Sequence, residues 1–214
     1  MTYIQLVNAV LRKLREGTVQ VVAETEYSSL IGDFVNDALT YVEGSWDWSA
    51  LRESFPILTV DGTGEYSLTG FGTSSEIMSV YNLTEKYRLT YQPKEYLIDK
   101  KYRSNAYGAP RDFTNKGTDN NNDLLMVLYP TPNGAFNMVV DAVVRNKTLV
   151  NDVDSTKLPT LPIVQLAFAY ALRERGETGG QGAMEQIMIA DRDLSSAIAL
   201  DAGNNAGELV WRPV

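Results

Sequence analysis

The hydrophobic period of this 214-residue chain changes twice, and no single layer type accommodates both patterns. Near the N-terminus, Ile4, Val7, Leu11 and Leu14 recur at three- and four-residue spacing, the stripe of an amphipathic helix. From Phe55 to about Lys147 the pattern becomes FPILTV, GEYSLT, EIMSVYNLT, KYRLTY, PRDFTNKG, DLLMVLYP and FNMVVDAVVRNK, β-branched or aromatic runs separated by turns such as DGTG and TPNG. Helical spacing returns near residue 160. A pattern of one period does not settle into the other element, so the chain reads as α+β. A helical bundle from residues 1–53 together with 158–203 is expected, with an antiparallel β-rich insertion over 54–157 and an extended tail over 204–214.

The element ends are partly legible. Thr2 and Gln5 have capping-box spacing, Arg12, Lys13 and Arg15 suit a helix C-terminus, and Gly17 is the expected stop. A connector with an extended segment over Val19 to Val22 follows. A second helix is expected from Tyr27 to Leu51. Its apolar residues, including Leu39, Val42, Trp46 and Trp48, cover nearly half of the circumference, with the two tryptophans on opposite flanks. So wide an arc packs against two surfaces, and Gly44 is a point where the helix can kink. PKEYLIDKKYRS reads as a short helix inside the strand-rich region. Thr160 as N-cap and Pro162 in the first turn open a helix with Ile163, Leu166, Ala167, Tyr170 and Ala171 as its stripe, ending at Gly176. A last helix spans Ala183 to Ala202, facing inward through Ile187, Leu194 and Ile198.

The residue inventory removes much chemistry. The chain has no cysteine and no histidine. Disulfides, thiolate nucleophiles and Cys-ligated metal sites are excluded, as is imidazole, the usual general base near neutral pH and commonest metal ligand. No cofactor or metal is expected. A net charge of −8 argues against a protein that grips nucleic-acid phosphates, yet suits a surface past which DNA slides. No apolar run has the eighteen or so residues of a membrane span, no signal-peptide core is present, and the two glycosylation sequons, at Asn82 and Asn146, mean little without secretion.

Individual candidates mostly favour structural readings. Asp119-x-Asn121-x-Asp123 has the start of a calcium loop, but Leu124 occupies the position that needs glycine and no Glu follows at the twelfth, so a solvated hairpin loop is expected. Glu174 with Glu177, or Asp152 with Asp154, could supply paired carboxylates for a peptidoglycan hydrolase, the alternative function, although spacing singles out no pair. In RERGETGGQG the glycines follow a helix and so mark a helix end and hinge, not a phosphate loop. Lys94, Lys100, Lys101 and Arg103 share a helix with Glu95 and Asp99 and read first as a solvated face, second as a contact for an acidic partner. A third function, a sugar-binding module, draws on the aromatic-rich middle, but those aromatics alternate as strand core does. Trp46 and Trp48 read as core residues that, with Leu39 and Val42, are also candidates for an interface between subunits. Trp211, with Leu209, Arg212 and Pro213, forms an apolar tip on a polar tail, and Trp and Arg are enriched in binding hot spots.

YSSLIGDFVNDALTYVEGSWDWSALRE, the strand-rich middle, LYPTPNGAF, LAFAYALRERGE and AIALDAG together resemble the head-to-tail adaptors of short-tailed bacteriophages, of the tail tubular protein A type. The likeness runs in order over nearly the whole chain, and none of its pieces is a catalytic motif. It implies a non-enzymatic virion protein at the head–tail junction, assembled in the host cytoplasm. It further implies a homo-oligomeric ring, a dodecamer, between portal and tail nozzle, with genomic DNA passing through the channel and no membrane partner. The tail at Leu209, Trp211, Arg212 and Pro213 would then reach the portal. Twelve copies at −8 would carry about −96 formal charges, repelling DNA where they face the lumen.

Overall fold

The computed structural model describes residues 1–72, 75–104, 106–145, 148–176 and 181–204. The chain divides into two compact units, with the divisions after Leu51 and after Arg145. The first contains the terminal segments and the second the sequence between them.

The helical unit holds α1 (Tyr3–Lys13), α2 (Glu26–Gly44), α4 (Thr160–Glu174) and α5 (Gln181–Asn204). The helix α4 packs against the other three. It can do so because it is apolar nearly all round, burying Pro162, Ile163, Val164, Leu166, Ala167, Ala169 and Ala171. Opposite it, α1 buries Leu6, Val7, Val10 and Leu11, and α2 buries Ile31, Val35, Ala38, Leu39 and Val42.

The Thr2–Gln5 signal acts as read, with the Thr2 backbone N–H donating to Gln5 Oε1 at 3.0 Å. Thr160 is not the cap of α4 but its first residue, because Pro159 takes the cap position and no side chain bonds the open N–H groups there. At α2 a cap that the sequence reading did not single out forms, Thr25 Oγ1 accepting from the Ser28 backbone N–H at 2.9 Å. The α1 stop differs from the glycine expectation. The chain reverses at Arg15, whose φ is 61°, with Arg15 N–H donating to the Arg12 carbonyl and Glu16 N–H to that of Leu11. This is a Schellman closure with arginine in the left-handed position that glycine usually holds. Of the segment expected to be extended over Val19 to Val22, Val21 has extended backbone and Val22 opens a 3₁₀ turn over Val22–Glu24. Asn8 holds the backbone of Val19 through two 2.9 Å bonds, so that segment pairs with a side chain instead of a ladder.

In the second unit, β1 (Arg52–Leu58), β2 (Glu65–Leu68), β3 (Glu76–Asn82), β4 (Tyr87–Arg88), β5 (Thr90–Tyr91), β6 (Asp112–Thr118), β7 (Leu124–Tyr129) and β8 (Asn137–Val143) form two four-stranded sheets, with α3 (Lys94–Arg103) between β5 and β6 in sequence. Their orders are β1-β8-β3-β4 and β2-β7-β6-β5. Every pairing is antiparallel except the two-residue match of β5 with β6. Alternating residues of the facing sheets meet in one core that includes Phe71, Val80, Phe113, Met126, Met138 and Val140. The strand-rich middle is therefore a small sandwich, with β8 central in its sheet and Phe55 packed on Phe71 at 4.3 Å between ring centroids.

The loop after Leu149 belongs to the helical unit by its bonds. Asp154 and Asp152 carbonyls accept from the first N–H groups of α1, at Tyr3 (2.7 Å) and Ile4 (3.3 Å). The Asp154 carboxylate accepts from the backbone of Asn151 and Val150, which holds its pKa below the ordinary 3.8. A depressed carboxylate stabilises the fold fully above its unfolded pKa and loses that contribution as pH falls through the folded one. An Asp154→Asn variant is therefore expected to be less stable than the parent in urea melts at pH 6, with the gap closing below about pH 4.

The hydroxyl end of Tyr3 abuts Gly32 on α2, and burial pushes its phenol above the ordinary 10.0. A Cβ at residue 32 would collide with the Tyr3 hydroxyl and stand 2.9 Å from Val22 Cγ1. Gly32→Ala is expected to lower unfolding free energy by about 1–3 kcal/mol despite its better helix propensity, as read from urea melts by circular dichroism.

Candidate interaction surfaces

The second helix stops seven residues short of the sequence expectation, at Gly44, and Trp46 and Trp48 lie in the connector that follows it. The helical projection of the two rings therefore does not apply. The two rings instead sit just before a 3₁₀ segment over Ser49–Leu51 and bond different partners. Trp48 is 1% exposed and donates its indole N–H at 2.8 Å to the Val42 carbonyl, which at the helix end also accepts from the Ser45 N–H at 3.3 Å. Trp46 is half-buried and donates to Asp201 Oδ2 at 3.0 Å. The same carboxylate accepts from the Ser49 backbone N–H at 3.1 Å and from the Ser49 hydroxyl. Asp201, on α5, thus clasps three groups of the Trp-Asp-Trp-Ser turn across 152 residues of sequence. Leu39 and Val42 are buried with Trp48, so Trp46 alone of the four interface candidates keeps a substantial accessible face.

The Arg-Glu-Arg-Gly stretch makes a second tie. Arg175 caps α4, donates from Nε to the Tyr27 hydroxyl at 2.8 Å and pairs through Nη2 with Glu16 Oε1 at 2.6 Å. Its guanidinium also stacks over the Tyr27 ring, 4.8 Å from the centroid. Burial raises the Tyr27 phenol above its ordinary value, with Arg175 opposing, and the hydrogen bond to Glu16 raises Arg175. Gly176, with φ of 65°, ends the helix as expected.

Of the carboxylates considered for hydrolysis, Asp152 and Asp154 hold backbone N–H groups. Asp152 Oδ1 accepts from Val22 N–H at 2.9 Å, Asp154 closes its own loop, and Glu174 is exposed at the end of α4. Glu177 lies outside the described residues. The Asp119 loop joins β6 to β7. Asp119 Oδ1 accepts from the N–H groups of Asn121 and Asp123 at 2.8 and 2.9 Å, and its pKa is lowered chiefly by the Ser67 hydroxyl. Among the described residues no group of three or more acidic side chains is placed to hold a metal ion, and no helix is long and apolar enough to cross a membrane. The tail candidates Leu209, Trp211, Arg212 and Pro213 lie outside the described residues.

Clefts also open on the surface of the described residues. One, of about 670 Å³, runs along Val21, Val22, Asp33 and residues 148–153, and Val150 and Val153 stand 75% and 79% exposed beside it. Another, of about 540 Å³, lies between α3 and the outer face of β6 and β7. There Lys100 pairs with Asp112 at 2.9 Å, and that hydrogen bond holds the ammonium above its ordinary value while it sits over the Tyr129 ring.

Residues 1–209 match the family described as SU10 adaptor protein. The chain belongs to that family. No curated protein matches it. This phage adaptor uses its two most distinctive sequence stretches to tie its own helices together, in keeping with the structural, non-enzymatic role that the family implies. Neither Asp201 nor Tyr27 stands out in the sequence as a site residue, since each gains its role from a partner about 150 positions away. Asp201→Ala is expected to lower unfolding free energy by about 1.5–3 kcal/mol, the range for hydrogen bonds to a charged group. The near-ultraviolet circular dichroism of the adaptor should weaken as Trp46 loses its anchor.

Proposed function

We propose that this protein is a head-to-tail adaptor of the tail tubular protein A type, a virion component that forms a ring between portal and tail nozzle and lets genomic DNA pass through its channel without sequence-specific binding. The observation that carries the reading is the family match over residues 1–209. The structure supports it in that the two most distinctive stretches of the chain, Trp-Asp-Trp-Ser and Arg-Glu-Arg-Gly, serve to tie helices together, as a load-transmitting connector requires. The excess of acid and the lack of histidine and cysteine are consistent with the same role.

A closed ring needs two different surfaces on each copy. On this reading Leu39, Val42 and Trp48 brace the subunit wall from within, and the accessible face of Trp46 meets a neighbour. The tail residues Leu209, Trp211, Arg212 and Pro213 dock on the portal, where a tryptophan anchor beside an arginine is a common hot-spot composition. A dodecamer matches the resemblance noted from the sequence.

Electron microscopy of the adaptor mixed with its portal should show a ring of density on the portal's tail-facing end, and bare portals would refute the proposal. Removing Trp211 to Val214 should weaken portal binding at least tenfold, on the order of the 2 kcal/mol lost at a hot spot, without changing the thermal melt of the free protein. Unchanged affinity would remove the tail from the docking site.

A further inference from the structure

Acidic charge is divided unevenly between the two units. Between Arg52 and Arg145 there are ten Lys and Arg against eleven Asp and Glu, a net of −1, and the rest of the chain holds nine against sixteen, a net of −7. Within the nearly neutral β unit, positive charge gathers along the cleft beside α3. Its rim carries Lys94, Lys101 and Lys116 against one acid, Glu65.

Most cations nearby are already compensated. Lys116 pairs with Glu65 at 2.7 Å, Lys100 with Asp112, and Arg103 with Asp99 at 2.9 Å. Lys94 donates only to the uncharged carbonyl of Lys116, at 2.9 Å, and Lys101 has no ion-pair partner among the described residues. Two ammonium groups at the cleft therefore lack a counter-charge, and Glu95 of the same helix does not line it.

The cleft is also apolar where it should be wet. The helix α3 buries only Leu97, leaving Ile98 44% and Tyr102 88% exposed along the rim. Under the helix, Thr114 is 2% exposed and its hydroxyl has no hydrogen-bond partner among the described residues. An exposed aromatic beside ammonium groups without an acidic partner is a surface that an acid next to an apolar group on a partner would complement.

We infer that the cleft beside α3 receives the acidic helical unit of a second copy of this chain. The inference rests on the oligomeric part of the proposed function and adds which surfaces meet. A volume of about 540 Å³ holds a few side chains, not a whole helix, so the occupant presents an acid next to an apolar group. The helical unit offers such pairs at its surface. Glu185 on α5 is followed three and four residues later by exposed Met188 and Ile189, and Asp37 on α2 is followed four residues later by exposed Tyr41. Methionine suits a contact whose partner side is shallow, because its side chain adapts. The contact is heterologous, joining different surfaces of two copies, and such contacts propagate into rings when the rotation closes.

A zero-length carbodiimide crosslinker tests this on the full chain, mixed from ¹⁵N-labelled and unlabelled protein, alone at high concentration and on the portal. Mass spectrometry should find amides joining Lys94 or Lys101 of one copy to an Asp or Glu of the helical unit of the other isotope. The Lys94→Glu/Lys101→Glu variant should lose self-association at least tenfold while its thermal melt stays unchanged, and the Lys94→Arg/Lys101→Arg variant should retain it. Crosslinks confined to one copy, crosslinks from these lysines to the portal instead, no crosslinks, or normal self-association of the charge-reversed variant would each overturn the inference. Intercopy crosslinks of the expected kind without a ring in electron micrographs would keep this contact and refute the ring.

Discussion

The burial of α4 is the constraint on which the helical unit depends. A helix with Ile163, Ala167, Ala169 and Ala171 at zero exposure has no solvent face to spare along most of its length. Its alanines allow neighbouring helices to approach closely, and each large apolar side chain it buries contributes about 1.5–3 kcal/mol relative to exposure. The partners that cover it come from both sides of the chain's middle. Since α1 and α2 precede the β unit and α5 follows α4, the helical core cannot close until the intervening 94 residues, Arg52 to Arg145, have been made and placed. The β unit suits that demand. Its first and last strands, β1 and β8, pair with each other from Arg52 with Val143 to Leu58 with Asn137, so its two ends lie side by side. An insertion closed in this way interrupts the helical sequence without holding its halves apart.

Apolar burial supplies stability but specifies helix register poorly, because a stripe of Leu, Val and Ala fits several offsets. Polar ties at the helix ends supply what the core lacks. Asp201 fixes the end of α5 to the Trp46–Ser49 turn, and Arg175 fixes the end of α4 to Glu16 and Tyr27. Glu16 reaches Arg175 because the chain turns at Arg15, and a left-handed arginine is tolerated in a closure that bonds both Arg15 and Glu16 back to α1. Partly buried charged bonds of this kind have geometry that a slipped helix would lose, and the carboxylate or guanidinium would then be left without its partners.

The difference between what the sequence disclosed and what it withheld follows the range of the interactions. Local signals were readable: the Thr2–Gln5 box, Pro162 in the first turn of α4, the glycine at 176, and the strand runs with their turns. The end of α2 was not, because the residues beyond Gly44 keep an amphipathic spacing, while the helix stops where Trp48 folds back to bond Val42. The stop at Arg15 was hidden because arginine rarely adopts positive φ. The two ties were hidden because nothing near Asp201 or Tyr27 announces a partner about 150 residues away. Which strands share a sheet was likewise withheld. Pairing of β8 with both β1 and β3 joins residues 56 to 91 positions apart, and alternation tells a strand's buried face but not its neighbour.

Charge division carries one further consequence for assembly. Copies that met through like surfaces would bring two units of −7 together, and at physiological salt, with a screening length of about 8 Å, groups in direct contact are still within reach of that repulsion. A head-to-tail contact sets the acidic unit of one copy against the nearly neutral, locally basic unit of the next and avoids the clash. Selection among orientations by repulsion as well as attraction is the means by which a symmetric assembly obtains a single mode of contact from subunits that are chemically identical.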